Sequence, residues 1–198
     1  MKAVVSLFTV VLAACLMLPP AAARAETAKA IFAGGCFWSV QKHFDAVAGV
    51  TATRVGFIGG TVANPTYRQV AYDKNTGHAE AVEVVYDTAR VTYAQLLDSF
   101  WHYIDPVAVN AQFCDKGDSY RSGIFYLDEE QKKLAEASKQ AIANSGRFDR
   151  PIATEITRAT PFYAAGNEHQ SYYKKNPAHY EAYRIGCGRD RALAKIWQ

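Results

Sequence analysis

The apolar and polar positions of the first half of the chain predict strands and one helix in mixed order. Residues 29–35, KAIFAGG, predict a strand that enters a glycine turn, and the segment from Phe37 to Ala48 predicts a helix. Residues 50–57 alternate loosely and favour a second strand. The clearest strand is predicted at 79–87, AEAVEVVYD, because its apolar residues fall on alternate positions. The apolar residues on one side of that strand are Val82, Val84 and Tyr86.

Helix-capping signals organise the second half of the chain. Thr92 and Gln95 form a capping-box pattern that opens a helix running to about Tyr103. Asp128 is the predicted N-cap of a longer helix through Ser145, in which Gln131 completes a box and Gly146 follows the end. Strands are predicted on either side of this helix, at 120–127 and 151–157.

Two stretches lack a regular pattern. Residues 104–120 are rich in Asp, Asn and Gly, and a loop of that length inside a compact domain is usually functional or disordered. Residues 162–198 are aromatic and predicted to be irregular, with a short final helix near 189–197. Strands and helices mix without a strict βαβ repeat, which favours an α+β fold over a doubly wound sheet.

The first 25 residues predict a secretory signal. Lys2 precedes an apolar run from Ala3 to Leu18, and a small-residue A-x-A site follows, so we expect cleavage after Ala25. The apolar run is short for a membrane span of about 20 residues. An alternative is the segment LAAC, which is similar to a lipoprotein box with Cys15 as the lipidated residue. We therefore expect a periplasmic or otherwise exported protein with one domain over residues 26–198.

Charge and cysteine content narrow the classes of function. Of the 22 basic residues, Lys2 and Arg24 lie in the predicted signal, which leaves 20 basic against 19 acidic residues and a net charge of +1. A nearly neutral surface gives no electrostatic reason to expect nucleic acid or acidic membrane as a partner. Three cysteines remain, Cys36, Cys114 and Cys187, and an odd number leaves at least one thiol unpaired or exchanging.

Cys36 is the first candidate for chemistry. It follows two glycines and precedes Phe37 and Trp38 in AGGCFWSV. A thiol at a helix N-terminus is stabilised as the thiolate by free N–H groups and the helix dipole, which lowers its pKa. Glycine also lets a ligand approach the backbone closely. A nucleophile in an apolar cup and a small cysteine packed at a turn both fit these residues.

Glu80 and the loop at 112–123 add polar candidates. Alternation places Glu80 on the same side of its strand as Val82 and Val84, and a carboxyl among apolar neighbours stays protonated and can donate a proton. A solvated strand-edge glutamate is the alternative. The loop supplies Asp115 and Tyr120, although aspartate and glycine are equally at home in a turn without a chemical task. His78, beside Glu80, is interpreted as a hydrogen-bonding residue.

Other cysteine chemistries have weaker support. A zinc site would need Cys114, Cys187, His102 and His169, which lack the spacing of metal ligands, so we expect no metal. A cysteine hydrolase would pair Cys36 with a histidine, but no hydrolase signature surrounds Cys36. A thiol peroxidase and an inert disulfide-stabilised binding domain remain as rival classes.

The motifs together identify a family resemblance. GGCFW, NPTY, GHAEAVEVVYD, QFCDKGDSYRS and HQSYYKKNP occur in this order, and over residues 29–198 the chain resembles the A-type peptide methionine sulfoxide reductases. These enzymes reverse the oxidation of methionine. The resemblance implies an α+β fold with a central mixed sheet flanked by helices, related to ferredoxin-like arrangements, and a long coiled C-terminal segment.

The resemblance implies a role for each candidate residue. The catalytic cysteine of the family falls on Cys36 and its proton-donating glutamate on Glu80. The residues that bind the substrate are implied as well. The two tyrosines on the sulfoxide oxygen are Tyr67 and Tyr120, the aspartate on the substrate N–H is Asp115, and the apolar wall around the methyl group is Phe37 and Trp38.

The resemblance also implies how the enzyme is recycled. Relatives carry a resolving cysteine in the C-terminal segment, which falls on Cys187 and its flanking glycines. Cys114 stands where many relatives have Asn, so it is a second candidate for that step, and the two cysteines could also simply pair with each other. An external reductant of thioredoxin type is implied, with no cofactor, and we expect a monomer.

Overall fold

The computed structural model describes residues 26–73 and 75–198. The predicted signal segment and Cys15 lie outside the described residues. Six strands form the main sheet in the order β7-β6-β1-β3-β2-β8, and two short strands, β4 and β5, pair separately. The strands are β1 (Thr27–Gly34), β2 (Val50–Ile58), β3 (Ala79–Asp87), β4 (Ala111–Gln112), β5 (Asp115–Lys116), β6 (Ser122–Tyr126), β7 (Glu155–Arg158) and β8 (Tyr163–Ala164).

The main sheet is mixed. All neighbouring strands are antiparallel except β6 and β7, which run parallel because the long helix α3 connects them. The α-helices are α1 (Phe37–Asp45), α2 (Tyr93–Trp101), α3 (Glu129–Asn144), α4 (Tyr172–Lys175), α5 (Pro177–Cys187) and α6 (Arg189–Trp197). Over residues 26–73 and 75–198, none of the helices has the length and hydropathy that a membrane span needs.

The two faces of the sheet are covered differently. Phe32, Val82 and Val84 face a core that α1, α2 and α3 close with residues such as Phe44 and Phe100. The opposite face is smaller and carries a second cluster, on which Ala159 and Phe162 pack. The residues of that second cluster are Ile31, Ala33, Ile58, Ala79, Ala81 and Phe125. The predicted α+β class with a mixed sheet flanked by helices is therefore confirmed.

The predicted N-cap residues of α2 and α3 are confirmed. Thr92 accepts from the N–H of Gln95, and the Gln95 side chain accepts from the N–H of Thr92, so both halves of the capping box are present. Asp128 caps α3 by accepting from the N–H of Gln131 at 2.8 Å. The second half of that box differs from the prediction, because the side chain of Gln131 accepts from the N–H of Leu127 instead.

Other boundaries differ from the predictions. The strand predicted at 151–157 begins only at Glu155, and the loop at 104–120 contains β4, β5 and a 3₁₀ turn at Asp118–Tyr120. Helices α4 and α5 lie in the segment 162–198, for which the prediction of irregular structure is wrong. In α5 only Tyr180 is buried, so the segment has no apolar stripe at helical spacing from which it could be predicted.

Candidate active site

Cys36 lies where β1 ends and α1 begins. It is the N-cap residue of α1, and its carbonyl accepts from the N–H groups of Ser39 and Val40. The preceding Gly35 has φ +82°, a left-handed conformation that glycine adopts without strain. The side chain of Cys36 is 6% exposed. The turn therefore presents the sulfur inward, to a buried cup.

The space beside Gly35, the residue before Cys36, is filled by other side chains of the protein. A Cβ on Gly35 would lie 2.5 Å from Cβ of Gln112 and 3.0 Å from the guanidinium of Arg189. Gln112 is fully buried and holds its loop by two hydrogen bonds to the backbone of Asp105. The expectation that this glycine admits a ligand is therefore wrong at Gly35, whose open side is filled by the loop before Cys114 and by Arg189.

Glu80 reaches the start of α1 from β3. Its side chain lies on the helix-covered face with Val82 and Val84, as the alternation predicts, and it is 1% exposed. One carboxyl oxygen, Oε2, accepts from the N–H of Phe37 at 3.0 Å. Burial raises the pKa of Glu80 to about 8, against the opposing effect of that hydrogen bond. The group is accordingly a neutral acid at pH 7.

The second oxygen of Glu80 is free to act. Among the described residues, no group makes a hydrogen bond to Oε1, although the atom is buried. A buried polar atom without a partner costs free energy, on the order of 1–3 kcal/mol, and a catalytic role is one of the reasons why native structures keep such atoms. The proton of the neutral carboxyl can therefore be offered from Oε1 to a bound substrate.

The pKa of the Cys36 thiol lies well above its ordinary value. Burial is the main cause, and the nearby carboxyls of Glu80 and Asp115 add to it. Interactions of the sulfur with the hydroxyl of Tyr183 and with the N–H of Trp38 lower the pKa, but by less. The expectation of a low-pKa thiolate at a helix N-terminus is therefore wrong in this state. The first N–H of α1 is taken by Glu80 rather than by the sulfur.

Aromatic rings form the walls of the cup. Phe37 is fully buried and packs against Tyr67, with ring centroids 6.1 Å apart. His169 lies over Tyr67 at 4.1 Å. Trp38 is half-buried and stacks on Tyr172 at 3.9 Å, with an interplanar angle of 10°. Phe37 and Trp38 are thus placed as an apolar wall, and the later segment supplies His169 and Tyr172.

The pKa values of two phenols, Tyr67 and Tyr120, depend on the nearby Glu80 carboxyl. Tyr67 precedes the π-helical turn Gln69–Asp73, and Tyr120 ends the 3₁₀ turn that follows β5. Burial raises the pKa of both phenols, and the Glu80 carboxyl and the Cys36 sulfur raise it further. Tyr67 and Tyr120 therefore stay protonated and converge with Cys36 and Glu80 on one cup, as hydrogen-bond donors should.

Asp115 is brought to the same cup from β5. Its Oδ2 accepts from the hydroxyl of Tyr183 at 2.7 Å, and its carboxyl also accepts from the backbone N–H of Cys36. Burial raises its pKa, while the hydrogen bond from Tyr183 works in the opposite direction. In this state Asp115 is occupied by groups of the protein itself.

Cys114 and Cys187 form a disulfide, with Cα atoms 5.0 Å apart across 73 positions of sequence, and Cys36 is the free cysteine of the described residues. The direct pairing of these two cysteines, one of the alternatives compatible with the sequence, is therefore present, and the resolving role of Cys187 stays a prediction. The two histidines considered as zinc ligands pack on aromatic rings instead: His102 on Trp197 and His169 on Tyr67.

Comparison of the sequence with known protein families identifies one match. The sequence model described as peptide methionine sulfoxide reductase matches residues 28–198. The chain belongs to this family. The protein is therefore an oxidoreductase, and the resemblance given by the sequence motifs is confirmed.

Named relatives of this reductase agree over most of its length. The peptide methionine sulfoxide reductase MsrA of Bacillus subtilis is 49% identical over 168 residues, which cover 85% of this chain and 94% of that protein. The enzyme of the same name from Ligilactobacillus salivarius is also 49% identical over 168 residues, covering 85% of this chain and 96% of its own.

Solved structures share the fold. Methionine sulfoxide reductase A of Corynebacterium diphtheriae superposes with a TM-score of 0.68 at 34% identity, over 78% of this chain and 77% of that one. Reduced Mxr1 of Saccharomyces cerevisiae superposes with a TM-score of 0.69 at 30% identity, over 78% of this chain and 88% of that one.

Three residues of the reductase site were missed by sequence reasoning. His169, Tyr172 and Tyr183 all come from the segment predicted to be irregular, and each contacts the cup across more than 60 positions of sequence. His169 and Tyr172 lie in the family motif HQSYYKKNP, whereas the only signal for Tyr183 is the aromatic composition of the segment. Composition does not indicate which of its rings turn inward.

Proposed function

We propose that this reductase converts methionine S-sulfoxide, free and in proteins, to methionine through a sulfenic acid on Cys36. The observation that carries the proposal is the neutral, buried Glu80 carboxyl, with Oε2 at the start of the Cys36 helix and Oε1 without a partner among the described residues. It supplies an acid where the sulfoxide oxygen would lie if Cys36 attacks the sulfur.

The proposed step balances as an oxygen transfer. Cys36 attacks the sulfoxide sulfur, which forms an S–S bond, and Glu80 protonates the oxygen as its bond to that sulfur breaks. The released hydroxide then attacks the Cys36 sulfur, which breaks the S–S bond and releases methionine, and the thiol proton of Cys36 restores the acid. The thiol and the sulfoxide become a sulfenic acid and a thioether, so two electrons pass from Cys36 to the substrate sulfur. Tyr67 and Tyr120 hydrogen-bond the oxygen as negative charge develops on it.

The substrate is held by the remaining residues of the cup. Phe37 and Trp38 enclose its methyl group, and Asp115 accepts a hydrogen bond from its backbone N–H. A direct test offers the enzyme the S and R epimers of a methionine sulfoxide peptide. We expect reduction of the S epimer alone, and equal reduction of both would contradict the proposed fit.

The disulfide supports a recycling route. Cys187 condenses with the Cys36 sulfenic acid, releasing water and leaving a Cys36–Cys187 disulfide. Cys114 then attacks Cys187, which frees Cys36 and yields the Cys114–Cys187 bond. Cys114 is exposed, and Cys187 borders a groove of about 740 Å³, so an external dithiol of thioredoxin type can reach the pair without any cofactor.

Replacing Cys187 with serine should stop turnover and spare the first reduction. Without a resolving thiol we expect release of about one methionine per enzyme and an accumulated sulfenic acid on Cys36. Quenched-flow chromatography of methionine, with mass spectrometry of Cys36, measures both. The matched variant Cys114→Ser should instead accumulate the Cys36–Cys187 disulfide. Normal cycling of Cys187→Ser with a thioredoxin would make Cys114 the resolving residue.

The rate of the reductase step should fall at alkaline pH. The neutral carboxyl of Glu80 is the active form, and its pKa is raised to about 8, so activity is retained below that value and lost as Glu80 ionises above it. The pH dependence of kcat/KM for the S-sulfoxide peptide measures this limb. Glu83→Gln, on the other face of β3 beside Lys29 and Arg54, is the control and should keep the limb. A rate that rises through this range would contradict the assignment.

We also propose that the enzyme acts on oxidised exported proteins. The support is the signal-like order of charge, apolar run and A-x-A site in residues 1–25. Mass spectrometry of the protein purified from its own cell envelope tests this. A new N-terminus after Ala25 is expected, whereas a lipidated Cys15 or an uncleaved chain in the cytoplasm would contradict it.

A further inference from the structure

Tyr183 lies at a position that the reaction does not explain. It stands on α5, and its hydroxyl donates to Oδ2 of Asp115 at 2.7 Å. The same hydroxyl lies within interaction distance of the thiol of Cys36. Its ring meets Trp38 edge to face, with centroids 6.1 Å apart and planes at 85°. Tyr183 therefore touches the nucleophile, the apolar wall and the carboxylate assigned to the substrate.

The disulfide holds Tyr183 in this place. Tyr183 and Cys187 are four residues apart on α5, so they lie on the same side of the helix, one turn from each other. Their partners, Asp115 and Cys114, are neighbours in sequence. The hydrogen bond at 2.7 Å and the covalent bond thus form two parallel links between one helix face and one loop.

A bound substrate would compete with Tyr183 for all three contacts. The sulfoxide sulfur must approach Cys36, its methyl group must lie against Trp38, and its backbone N–H needs Asp115. Because Cys36 is only 6% exposed, its sulfur is closed to an external molecule in the disulfide state.

We propose that Tyr183 is a redox-controlled occupant of the substrate site, inserted over Cys36 while the Cys114–Cys187 disulfide stands and withdrawn when that disulfide is reduced. The role assigned to the displaced substrate rests on the proposed function. Reduction consumes two electrons from an external dithiol, which itself becomes a disulfide, and it breaks the covalent link that fixes α5. An enzyme that has completed a cycle then admits no second sulfoxide before it is recycled.

The test measures how fast iodoacetamide alkylates Cys36, with peptide mapping to separate the three thiols. In wild-type protein we expect alkylation about tenfold or more slower in the Cys114–Cys187 disulfide form than in the dithiol-reduced form, since reaction then requires local opening of α5. This comparison uses no variant. Equal rates in the two redox states would overturn the proposal.

Variants locate the effect at Tyr183. In the disulfide form, Tyr183→Ala should bring alkylation close to the rate of the reduced protein, and Tyr183→Phe, which keeps the ring, should recover only part of it. Ile185→Ala, on the same helix with its side chain 66% exposed, is the control and should match wild type in both states. Protection that persists in the disulfide form of Tyr183→Ala would assign the closure elsewhere and overturn the role of Tyr183.

The readout is independent of sulfoxide reduction. If alkylation of Cys36 is gated but the S-sulfoxide peptide is not reduced, the proposed function fails and the gate stands. If the peptide is reduced but alkylation of Cys36 is equally fast in both redox states, the proposed function stands and the role of Tyr183 fails. The double variant Cys114→Ser, Cys187→Ser cannot form the link, so its Cys36 should react at the reduced rate under oxidising and reducing conditions alike.

Discussion

Replacing Cys36 with serine should abolish reduction of methionine S-sulfoxide, lowering the single-turnover rate by about four orders of magnitude or more. The physical reason is that the thiol of Cys36 supplies the electrons for the reduction. A serine hydroxyl occupies the same volume at the start of α1 but cannot accept oxygen to form a sulfenic acid, so the two electrons needed by the substrate have no source. The measurement is methionine released from a labelled S-sulfoxide peptide in one turnover, resolved by chromatography.

The other two cysteines supply the control for this prediction. Cys114→Ser and Cys187→Ser both keep Cys36, so each should still release methionine in the first turnover. The thermal stability of Cys36→Ser should stay close to wild type, because a serine hydroxyl can accept from the N–H of Trp38 as the sulfur does. First-turnover methionine from Cys36→Ser at the wild-type rate would remove Cys36 as the nucleophile.

Replacing Glu80 with glutamine should slow the same step by about 10²–10⁴-fold, the range that general acid catalysis supplies. The amide keeps the shape of the side chain, and its oxygen can still accept from the N–H of Phe37, so α1 and the cup are retained. It cannot transfer a proton to the departing oxygen. Single-turnover kinetics under saturating substrate isolates this loss from any change in binding.

Two further measurements sharpen the test of Glu80. The fall in kcat/KM near pH 8 should be missing in Glu80→Gln, because the titrating carboxyl is gone. Glu83→Gln should leave the single-turnover rate unchanged, since Glu83 points to the other face of β3 and pairs with Lys29 and Arg54. A wild-type rate in Glu80→Gln would exclude the acid role.

The sequence predicts those parts of the site whose geometry depends on the local pattern of apolar and polar residues. The alternation of β3 places Glu80 beside Val82 and Val84, and the capping box at Thr92 fixes the start of α2, so both predictions are confirmed. These features depend on neighbours within a few positions, which a single sequence displays. The motifs then supply the family, which local chemistry alone leaves open.

The wrong and missed predictions depend on contacts between distant segments. The N–H of Phe37 is taken by Glu80, 43 positions away, which removes that donor from the Cys36 sulfur and leaves burial to raise the pKa. Gly35 is filled by Gln112 and Arg189 rather than by a ligand. α5 buries only Tyr180, so its helical path and the inward turn of Tyr183 follow from tertiary packing.

The fully buried Arg189 has a consequence for the chemistry of Cys187. Its guanidinium donates to the carbonyls of Gly34 and Tyr103, which fastens α6 to the strand end just before Cys36. When the disulfide is reduced, Cys187 is still tethered two residues from this anchor, with Gly188 in the left-handed conformation as the hinge. On the proposed recycling route, its thiol would meet the Cys36 sulfenic acid at an effective concentration set by a short tether, about millimolar or above, and would outpace dissolved thiols and peroxide.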